Sequence, residues 1–364
     1  MEENKAGEIL CSNCSAKLKF KPGTHSLKCE FCGTVNEIEV DENAVVEEID
    51  FDKYLNEDFE NNENIEVENI VCKSCGAKTT FEPNIVSGDC PFCGSNIVIA
   101  DGSEKNKLIK PKSLLPFKIE QKQTSKLFKT WLKKLWWAPS DLKKIATVKD
   151  KIKGVYIPFW TYDSKTYTTY KGRRGDNYTT TESYTDSEGK TKTRTVTHTA
   201  WTSVSGSVNE NFDDILVIAS KSLPHKYAIK LEPWDLENLV PFNEQYLLGF
   251  VAESYQVHLK DGFDVAKNIM NKTIEKRIKR DIGGDKQVIK SYNVKHDDIT
   301  FKHILLPVWI SAYKYKNKVY RILINARTGE VQGERPYSWI KITLAILITA
   351  AIIGGIIYLI SENT

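Results

Sequence analysis

The sequence lacks the motifs of common enzyme families. Its 364 residues contain no Gly-x-Ser-x-Gly nucleophile elbow, no Gly-x-Gly-x-x-Gly dinucleotide motif and no His-x-x-x-His pair. Gly189-Lys190-Thr191 resembles the end of a phosphate-binding loop, but the glycine that such a loop requires five residues earlier is Tyr184. We therefore expect a protein that is not an enzyme. An unfamiliar type of active site in the body, acting on lipid or peptide, is the alternative left open.

Positive charge is scarce near the N-terminus. Residues 1–104 contain eight Lys and no Arg against 22 Asp and Glu, a formal charge of −14. Because the whole chain carries +3, residues 105–364 carry +17. Residues 33–69 alone hold 14 acidic side chains and one Lys, which predicts a solvated linker that would repel nucleic acid. A short docking helix within it is indicated by Ile49, Phe51, Tyr54, Leu55 and Phe59.

Cysteines outside Cys-x-x-Cys pairs are also missing. The last two Cys-x-x-Cys pairs repeat the first two at an offset of 61 residues. Because Phe20/Phe81, Pro22/Pro83 and Phe31/Phe92 match in the same register, the repeat indicates a duplication. Two such pairs supply four sulfurs, the donor set that suits tetrahedral Zn²⁺. The eight predicted metal ligands are Cys11, Cys14, Cys29, Cys32, Cys72, Cys75, Cys90 and Cys93.

We expect each group of four cysteines to hold one structural Zn²⁺. Four protein thiolates leave no coordination position for a substrate, so neither site should be catalytic. Each half is too short to build a stable core, and metal binding worth on the order of 10–16 kcal/mol should supply much of its stability. Iron on the same sulfurs is the alternative left open. Disulfides are disfavoured by the reducing cytoplasm inferred below.

Long apolar runs are missing until the C-terminus. Residues 342–360 carry no charge and are long enough to cross a hydrocarbon core of roughly 30 Å. Trp339 lies where interfacial aromatic residues belong, and Arg335 and Lys341 flank the N-terminal end, which predicts that residues 1–338 face the cytoplasm. The first ten residues have no apolar run, so no signal peptide is expected. We therefore predict a tail-anchored, single-pass protein of the cell membrane with most of its chain cytoplasmic.

The residues before this anchor are predicted to form an α+β body. Residues 124–137 form a basic amphipathic helix whose apolar face either packs into the body, which we favour, or lies on an anionic membrane leaflet. Thr-rich alternating segments flank a turn at Asp186–Gly189, which predicts a β-hairpin arm at about 162–208. Gly283 is expected to end a helix that begins near Asp264.

A fainter repeat occurs inside the body. Leu114-Leu-Pro-Phe recurs as Leu239-Val-Pro-Phe, and Tyr156-Ile-Pro-Phe-Trp recurs loosely as Leu305-Leu-Pro-Val-Trp. These matches indicate two related halves, with coincidence as the alternative. The full prediction is a multi-domain chain with two small β zinc ribbons, an α+β body with a long β-hairpin arm and one C-terminal transmembrane helix. The expected boundaries are ribbon 1 at 1–40, the acidic linker at 41–68, ribbon 2 at 69–104, the body at 105–335 and the anchor at 336–364.

The cysteine spacing resembles the zinc-ribbon superfamily. Two ribbons, a body with Pro-Phe and Pro-x-Trp motifs and a terminal anchor together resemble the double zinc-ribbon membrane proteins of bacterial phage-shock-type envelope-stress operons, although only the cysteine spacing is a specific motif. This resemblance implies a membrane-tethered scaffold that recruits cytosolic partners to the inner leaflet. The partners it implies are a phage-shock protein A paralogue and a virion-core-like protein.

The same cysteine pairs resemble the zinc region of primosomal helicases. That resemblance implies the alternative function, nucleic-acid binding without ATPase activity. The acidic linker argues against it, whereas the charge of the +17 body would attract phosphates.

Overall fold

The computed structural model describes residues 9–39, 46–56, 64–80, 87–98, 103–142, 152–315 and 318–362. Phe59, Phe81 and Pro83, which entered the predictions above, lie outside these ranges. The described helices are α1 Phe51–Asn56, α2 Gln121–Lys134, α3 His225–Ala228, α4 Leu259–Ile282 and α5 Trp339–Glu362. The described strands are β1 Leu18–Phe20, β2 Ser26–Cys29, β3 Val35–Glu37, β4 Ile49–Asp50, β5 Asn64–Val71, β6 Lys78–Thr80, β7 Ser87–Asp89, β8 Asn96–Val98, β9 Ser103–Ile109, β10 Ser113–Leu114, β11 Lys153–Thr185, β12 Thr191–Ile218, β13 Val240–Pro241, β14 Val251–Glu253, β15 Lys286–Tyr315, β16 Lys318–Asn325 and β17 Val331–Gly333.

The two ribbons are built differently into the molecule. In ribbon 1, β1, β2 and β3 form their own three-stranded antiparallel sheet. In ribbon 2, only β7 and β8 form a separate hairpin, while β5 and β6 belong to the large sheet of the body. The path through that sheet is β13-β10-β15-β11-β14-β6-β5-β9, with β12 paired to β11 and β16 to β15. Ribbon 2 is therefore continuous with the body.

The predicted solvated linker is more ordered than its composition indicated. Strand β5 begins at Asn64, inside the range assigned to the linker, and pairs antiparallel with β9 from Asn64 to Ile70. Its sequence Asn-Ile-Glu-Val-Glu-Asn-Ile-Val alternates with the period of a strand, a pattern that the high acidic count of the segment concealed. The expectation of a solvated linker is therefore corrected for residues 64–68, which belong to β5.

The middle of the linker docks on the body, as the predicted short helix required. Strand β4 pairs with β15, and α1 follows directly. Phe51 is buried, with its ring centroid 4.9 Å from that of Phe263 and 6.2 Å from that of Phe301. Lys302, which is almost fully buried, donates to Glu48 at 2.9 Å. Apolar burial and this ion pair together hold the acidic segment against the basic body.

Three long strands, β12, β11 and β15, form the frame of the body. Helix α4 packs on one face of them through buried residues spaced three or four apart, including Ala266, Met270, Ile274 and Ile278. Pairing of β11 with β15 ends at Gly175, opposite Lys286. Strands β11 and β12 continue alone to the turn, so 176–200 is the part of the predicted arm that projects.

The repeated motifs of the body face one another. Leu114 of β10, which begins the first Pro-Phe motif, pairs with Val240 of β13 in the second. Between β11 and β15, Pro158 pairs with Leu305 and Tyr156 pairs with Pro307. The strand at each motif thus pairs antiparallel with the strand at its copy. This arrangement is what two related halves would produce.

The basic amphipathic helix packs into the body. Phe128 and Leu132 of α2 are buried in a cluster with Leu305, Trp309 and Ile324. Farther along the chain, α5 contains one stretch, Trp339–Ser361, that is long and apolar enough to cross a membrane, and none of its most apolar window is buried. The structure therefore has the C-terminal candidate span that the sequence predicted.

Candidate metal centres

Both metal centres are built from pairs of tight turns. In each Cys-x-x-Cys turn, the residue four positions after the first cysteine has a positive φ: Ser15 (57°), Gly33 (79°), Gly76 (75°) and Gly94 (72°). The left-handed backbone is easiest for glycine, which explains three of these four residues. Ser15 is the exception, and its amide nevertheless donates to the Cys11 carbonyl at 2.9 Å. These turns direct both thiols of each pair to one side.

The first centre brings together Cys11, Cys14, Cys29 and Cys32. The Sγ atoms of Cys11 and Cys32 are 3.5 Å apart, as are those of Cys14 and Cys29, and all four sulfurs lie within 4.8 Å of one another. The cysteines are free. A tetrahedron of sulfurs at ~2.3 Å from a zinc ion has edges of about 3.8 Å, so the four thiols fit one Zn²⁺.

The second centre repeats this geometry with Cys72, Cys75, Cys90 and Cys93. Its closest cross-turn pairs, Cys72 with Cys93 and Cys75 with Cys90, are each 3.7 Å apart at sulfur. All four sulfurs again lie within 4.8 Å. The structure thus assembles all eight predicted ligands into two tetracysteine sites, an arrangement consistent with two structural zinc ions.

Local hydrogen bonds favour the thiolate form at one sulfur of each centre, while the pKa of the neighbouring thiols Cys14 and Cys90 is raised. The hydroxyl of Thr34 lies 3.0 Å from the Cys32 sulfur and, with the Thr34 amide, lowers the pKa of that thiol to about 5. In the second centre, a hydrogen bond from Cys90 lowers the pKa of Cys75 to about 5. Thiolates bind metal, whereas thiols must first lose a proton. Each centre therefore contains at least one thiolate, the form that binds a metal cation, at neutral pH.

The second knuckle is buried against the body. Phe92, between Cys90 and Cys93, has 0% of its surface exposed. It belongs to the same apolar cluster as Leu115 and Val155 of the body. The amide of Ser254 donates to the Lys78 carbonyl at 3.1 Å, which extends the β6–β14 pairing. The second centre is therefore held by the body as well as by its own ligands.

The first ribbon contacts the body through β1 and the turn that follows it. The Phe20 amide donates to the Leu248 carbonyl at 3.0 Å, and the Gly23 amide donates to the Phe117 carbonyl at 2.8 Å. His25 lies 2.8 Å from the Tyr246 hydroxyl. In the knuckle that carries Cys29 and Cys32, the side chain of Phe31 is 83% exposed. The duplicated ribbons thus use the same position in opposite ways, a difference that no sequence pattern signals.

A third group of possible metal ligands, made of carboxylates, was not anticipated from the sequence. Carboxylates of Glu48, Asp163 and Asp213 approach one another where the long strands bulge. Burial, together with a hydrogen bond to Glu48, raises the pKa of Asp163 to about 6. Lys302 already supplies a cation, at 2.9 Å from Glu48 and 2.8 Å from Asp214. We assign no metal to this cluster.

The phosphate-loop resemblance is explained by a turn. Gly189 lies in the turn that joins β11 to β12 and has a φ of 75°. The amide of Lys190 donates to the carboxylate of Asp186 at 2.9 Å. A phosphate loop joins a strand to a helix, whereas this segment joins two strands. Gly189-Lys190-Thr191 is therefore a structural turn.

Comparison with known proteins gives a relative across nearly the full length. The chain is 27% identical over 329 residues to the uncharacterized protein YdjG of Bacillus subtilis (strain 168), a match that covers 90% of this chain and 89% of that protein. No family model matches the chain. No solved structure matches it.

Proposed function

We propose that this protein is a membrane-tethered adaptor that recruits a cytosolic protein partner to the inner leaflet through its first zinc ribbon. The observation that carries the proposal is the contrast between Phe31 and Phe92. In the second ribbon this position is the hydrophobic anchor of the ribbon against the body, with 0% exposure. In the first ribbon the same side chain is 83% exposed. The first knuckle thus presents an uncovered copy of a docking element that the chain itself uses.

The exposed knuckle is more apolar than an ordinary surface turn. Val35, three residues after Cys32, is 51% exposed. Complete burial of a Phe side chain is worth about 1.5–3 kcal/mol, and a rigid metal-bound turn adds little ordering cost when it binds. A partner with an apolar socket for Phe31 would gain this free energy.

The surface beside the knuckle indicates the charge of that partner. A cleft of about 670 Å³ separates ribbon 1 from the body, with Phe20, Phe250 and Trp309 among its lining residues. Its charged lining residues are Lys19, Lys21, Lys28, Lys122 and Lys153 against Glu30 and Glu120. This excess of lysines favours an acidic partner, since complementary charge accelerates and orients association.

The proposed cellular role adds a location and a setting to this adaptor function. We place the ribbons and the body in the cytoplasm, supported by Arg335 and Lys341 at the N-terminal end of the apolar segment. We propose the envelope-stress response as the setting, with a phage-shock protein A paralogue and a virion-core-like protein as candidate partners. The support for that setting is the resemblance in architecture described above.

Binding to the purified candidate partners tests the proposal. The full-length chain in lipid nanodiscs is titrated with each partner, and Phe31→Ala is expected to raise the Kd by roughly 10-fold to 150-fold, which corresponds to the loss of 1.5–3 kcal/mol. Lys21→Glu with Lys28→Glu should weaken binding further. Tyr178→Ala, on the exposed hairpin arm, is the matched control and should leave the Kd unchanged.

The same full-length protein and its Phe31→Ala variant also distinguish the adaptor function from the nucleic-acid alternative. DNA binding would fall steeply with salt and would be insensitive to Phe31→Ala, because it depends on phosphate neutralisation. Partner binding that is equally strong in wild type and Phe31→Ala would refute the adaptor surface proposed here.

A further inference from the structure

We propose that the body rests on the bilayer through a defined surface, the collar, and that the collar attracts anionic lipid headgroups. The collar comprises four aromatic residues, Trp136, Trp137, Tyr337 and Trp339, and four basic residues, Lys133, Lys134, Arg335 and Lys341. Its four aromatic side chains are exposed by 74%, 38%, 60% and 74%, respectively. Exposed tryptophans on this scale are unusual on a water-facing surface, and here they lie beside the candidate span.

Hydrogen bonds tie the two parts of the collar together. The amide of Ser338 donates to the Trp137 carbonyl at 2.7 Å. The ammonium group of Lys341 donates to the carbonyls of Trp136 and Ala138 at 3.1 and 2.8 Å, and it lies 6.0 Å from the centre of the Trp136 ring. The turn after α2 is therefore fixed to the first turn of α5.

This attachment determines the depth of the collar. The uncharged part of α5 begins at Ile342, one residue after Lys341. One helical residue corresponds to ~1.5 Å, so groups bonded to Lys341 lie close to the level at which hydrocarbon begins. Tryptophan and tyrosine favour that interfacial level, where an apolar ring and a polar N–H or O–H are both satisfied.

An apolar groove continues from the collar along α5. Trp137 and Tyr337 form one side, and the helix contributes Ile342, Ile346 and Ile353 among others, around a space of about 590 Å³. With α5 in a bilayer, this space lies at the depth of acyl chains. A lipid tail in the groove would place its headgroup beside the aromatic rings.

The charged groups of the collar favour an anionic headgroup. Lys133 and Lys134, both exposed, occupy the last turn of α2 immediately before the tryptophans. Arg335 lies 5.3 Å from the Tyr337 ring centre, and Arg335 and Lys226 both lower the pKa of Tyr337. Each such cation adds to the attraction between the collar and an anionic leaflet.

Brominated lipids test the position of the collar. Full-length protein is placed in phosphatidylcholine nanodiscs with or without bromine on the acyl chains, which quench nearby tryptophan fluorescence. Of the eight tryptophans, Trp136, Trp137 and Trp339 are expected to be quenched. Trp136→Phe with Trp137→Phe should reduce the quenched share from about three in eight to about one in six, since only the interfacial Trp339 remains. Trp201→Phe, on the hairpin arm, is the control and should leave three quenched tryptophans.

The choice of lipid is tested in the unmodified protein. Nanodiscs contain one part phosphatidylglycerol to four parts phosphatidylcholine, with equal amounts of bromine carried on one lipid or the other. Brominated phosphatidylglycerol should quench severalfold more strongly, because the cations of the collar attract its headgroup. Lys133→Gln with Lys134→Gln should remove much of this preference, whereas Lys272→Gln with Lys276→Gln on α4 should not.

Three results would each overturn the proposal. Unchanged quenching in the Trp136 and Trp137 double variant would show that the collar lies outside the bilayer. Weak quenching of the wild type, with two chains per nanodisc, would show that a second copy covers the collar. Equal quenching by both brominated lipids would overturn the anionic preference. Two zinc ions per chain and an unchanged circular dichroism spectrum verify that each variant is folded.

Discussion

Replacing Phe92 by alanine tests the structural asymmetry of the two ribbons. The side chain is completely buried between the second metal knuckle and the body. Loss of a buried Phe removes its transfer free energy and leaves a cavity, at a cost of about 3–5 kcal/mol. Phe31→Ala changes the equivalent residue of the first ribbon, which is 83% exposed, and such surface substitutions usually change stability by about 0.5 kcal/mol or less.

Urea unfolding of the full-length protein in nanodiscs measures this difference. Tryptophan fluorescence reports the body, and a chromophoric chelator reports release of zinc. We expect Phe92→Ala to lower the free energy of unfolding by about 3–5 kcal/mol and to release one of two zinc ions at lower urea. Phe31→Ala should give curves that superimpose on those of the wild type.

Equal destabilisation by the two substitutions would contradict this reasoning. A loss of less than about 1 kcal/mol in the free energy of unfolding of Phe92→Ala would also contradict it, because a buried cavity of this size destabilises a protein by more than that. Either result would mean that the second ribbon is not anchored through its knuckle. The use of Phe31 as an uncovered docking element would then lose its support.

Three other predictions follow from the buried charges and the metal ligands. Burial raises the pKa of Glu253 to about 8 from its ordinary 4.5, so the native state keeps a proton that the unfolded chain loses, and stability should fall as pH rises from about 4.5 to 8. Glu253→Gln should remove that fall, with a gain of a few kcal/mol at pH 8.5 in denaturant titrations; an unchanged pH profile would contradict it. Arg327, 12% exposed, pairs with Asp235, and Arg327→Met should cost about 2–4 kcal/mol by leaving that carboxylate unpaired. A double-mutant cycle with Asp235→Asn measures this coupling, and zero coupling would refute it. Elemental analysis should find two zinc ions per chain, fewer than two in Cys14→Ser and fewer still after a further Cys75→Ser; an unchanged zinc content would exclude these ligands.

The parts of the structure that follow from local spacing could be predicted from the sequence. Four Cys-x-x-Cys pairs define two tetracysteine sites because metal geometry restricts where the thiolates lie. The apolar segment after Lys341 predicts a helix that can span a membrane, and Gly283 ends α4 as expected. The Thr-rich arm and its turn at Asp186 also follow from strand alternation and turn chemistry.

Long-range packing explains what could not be predicted. The pairing of β6 with β14 joins residues far apart in the sequence, and no local pattern in either strand specifies the other. For the same reason, Phe31 and Phe92 look equivalent in the sequence, although one is exposed and the other is buried. In the linker, the high content of carboxylates indicated a solvated segment and concealed the alternation of polar and apolar residues in β5.

The separation of charge between the two ends of the chain can be explained without nucleic acid. Part of the positive charge of the body meets the acidic linker directly, as Lys302 does with Glu48 at 2.9 Å. Another part lines the cleft beside the first ribbon, where Lys122 and Lys153 face the proposed acidic partner. A third part, including Lys133 and Lys134, lies in the collar beside the candidate span. A basic body is therefore what a chain needs if it must hold its own acidic linker, an acidic partner and an anionic leaflet together.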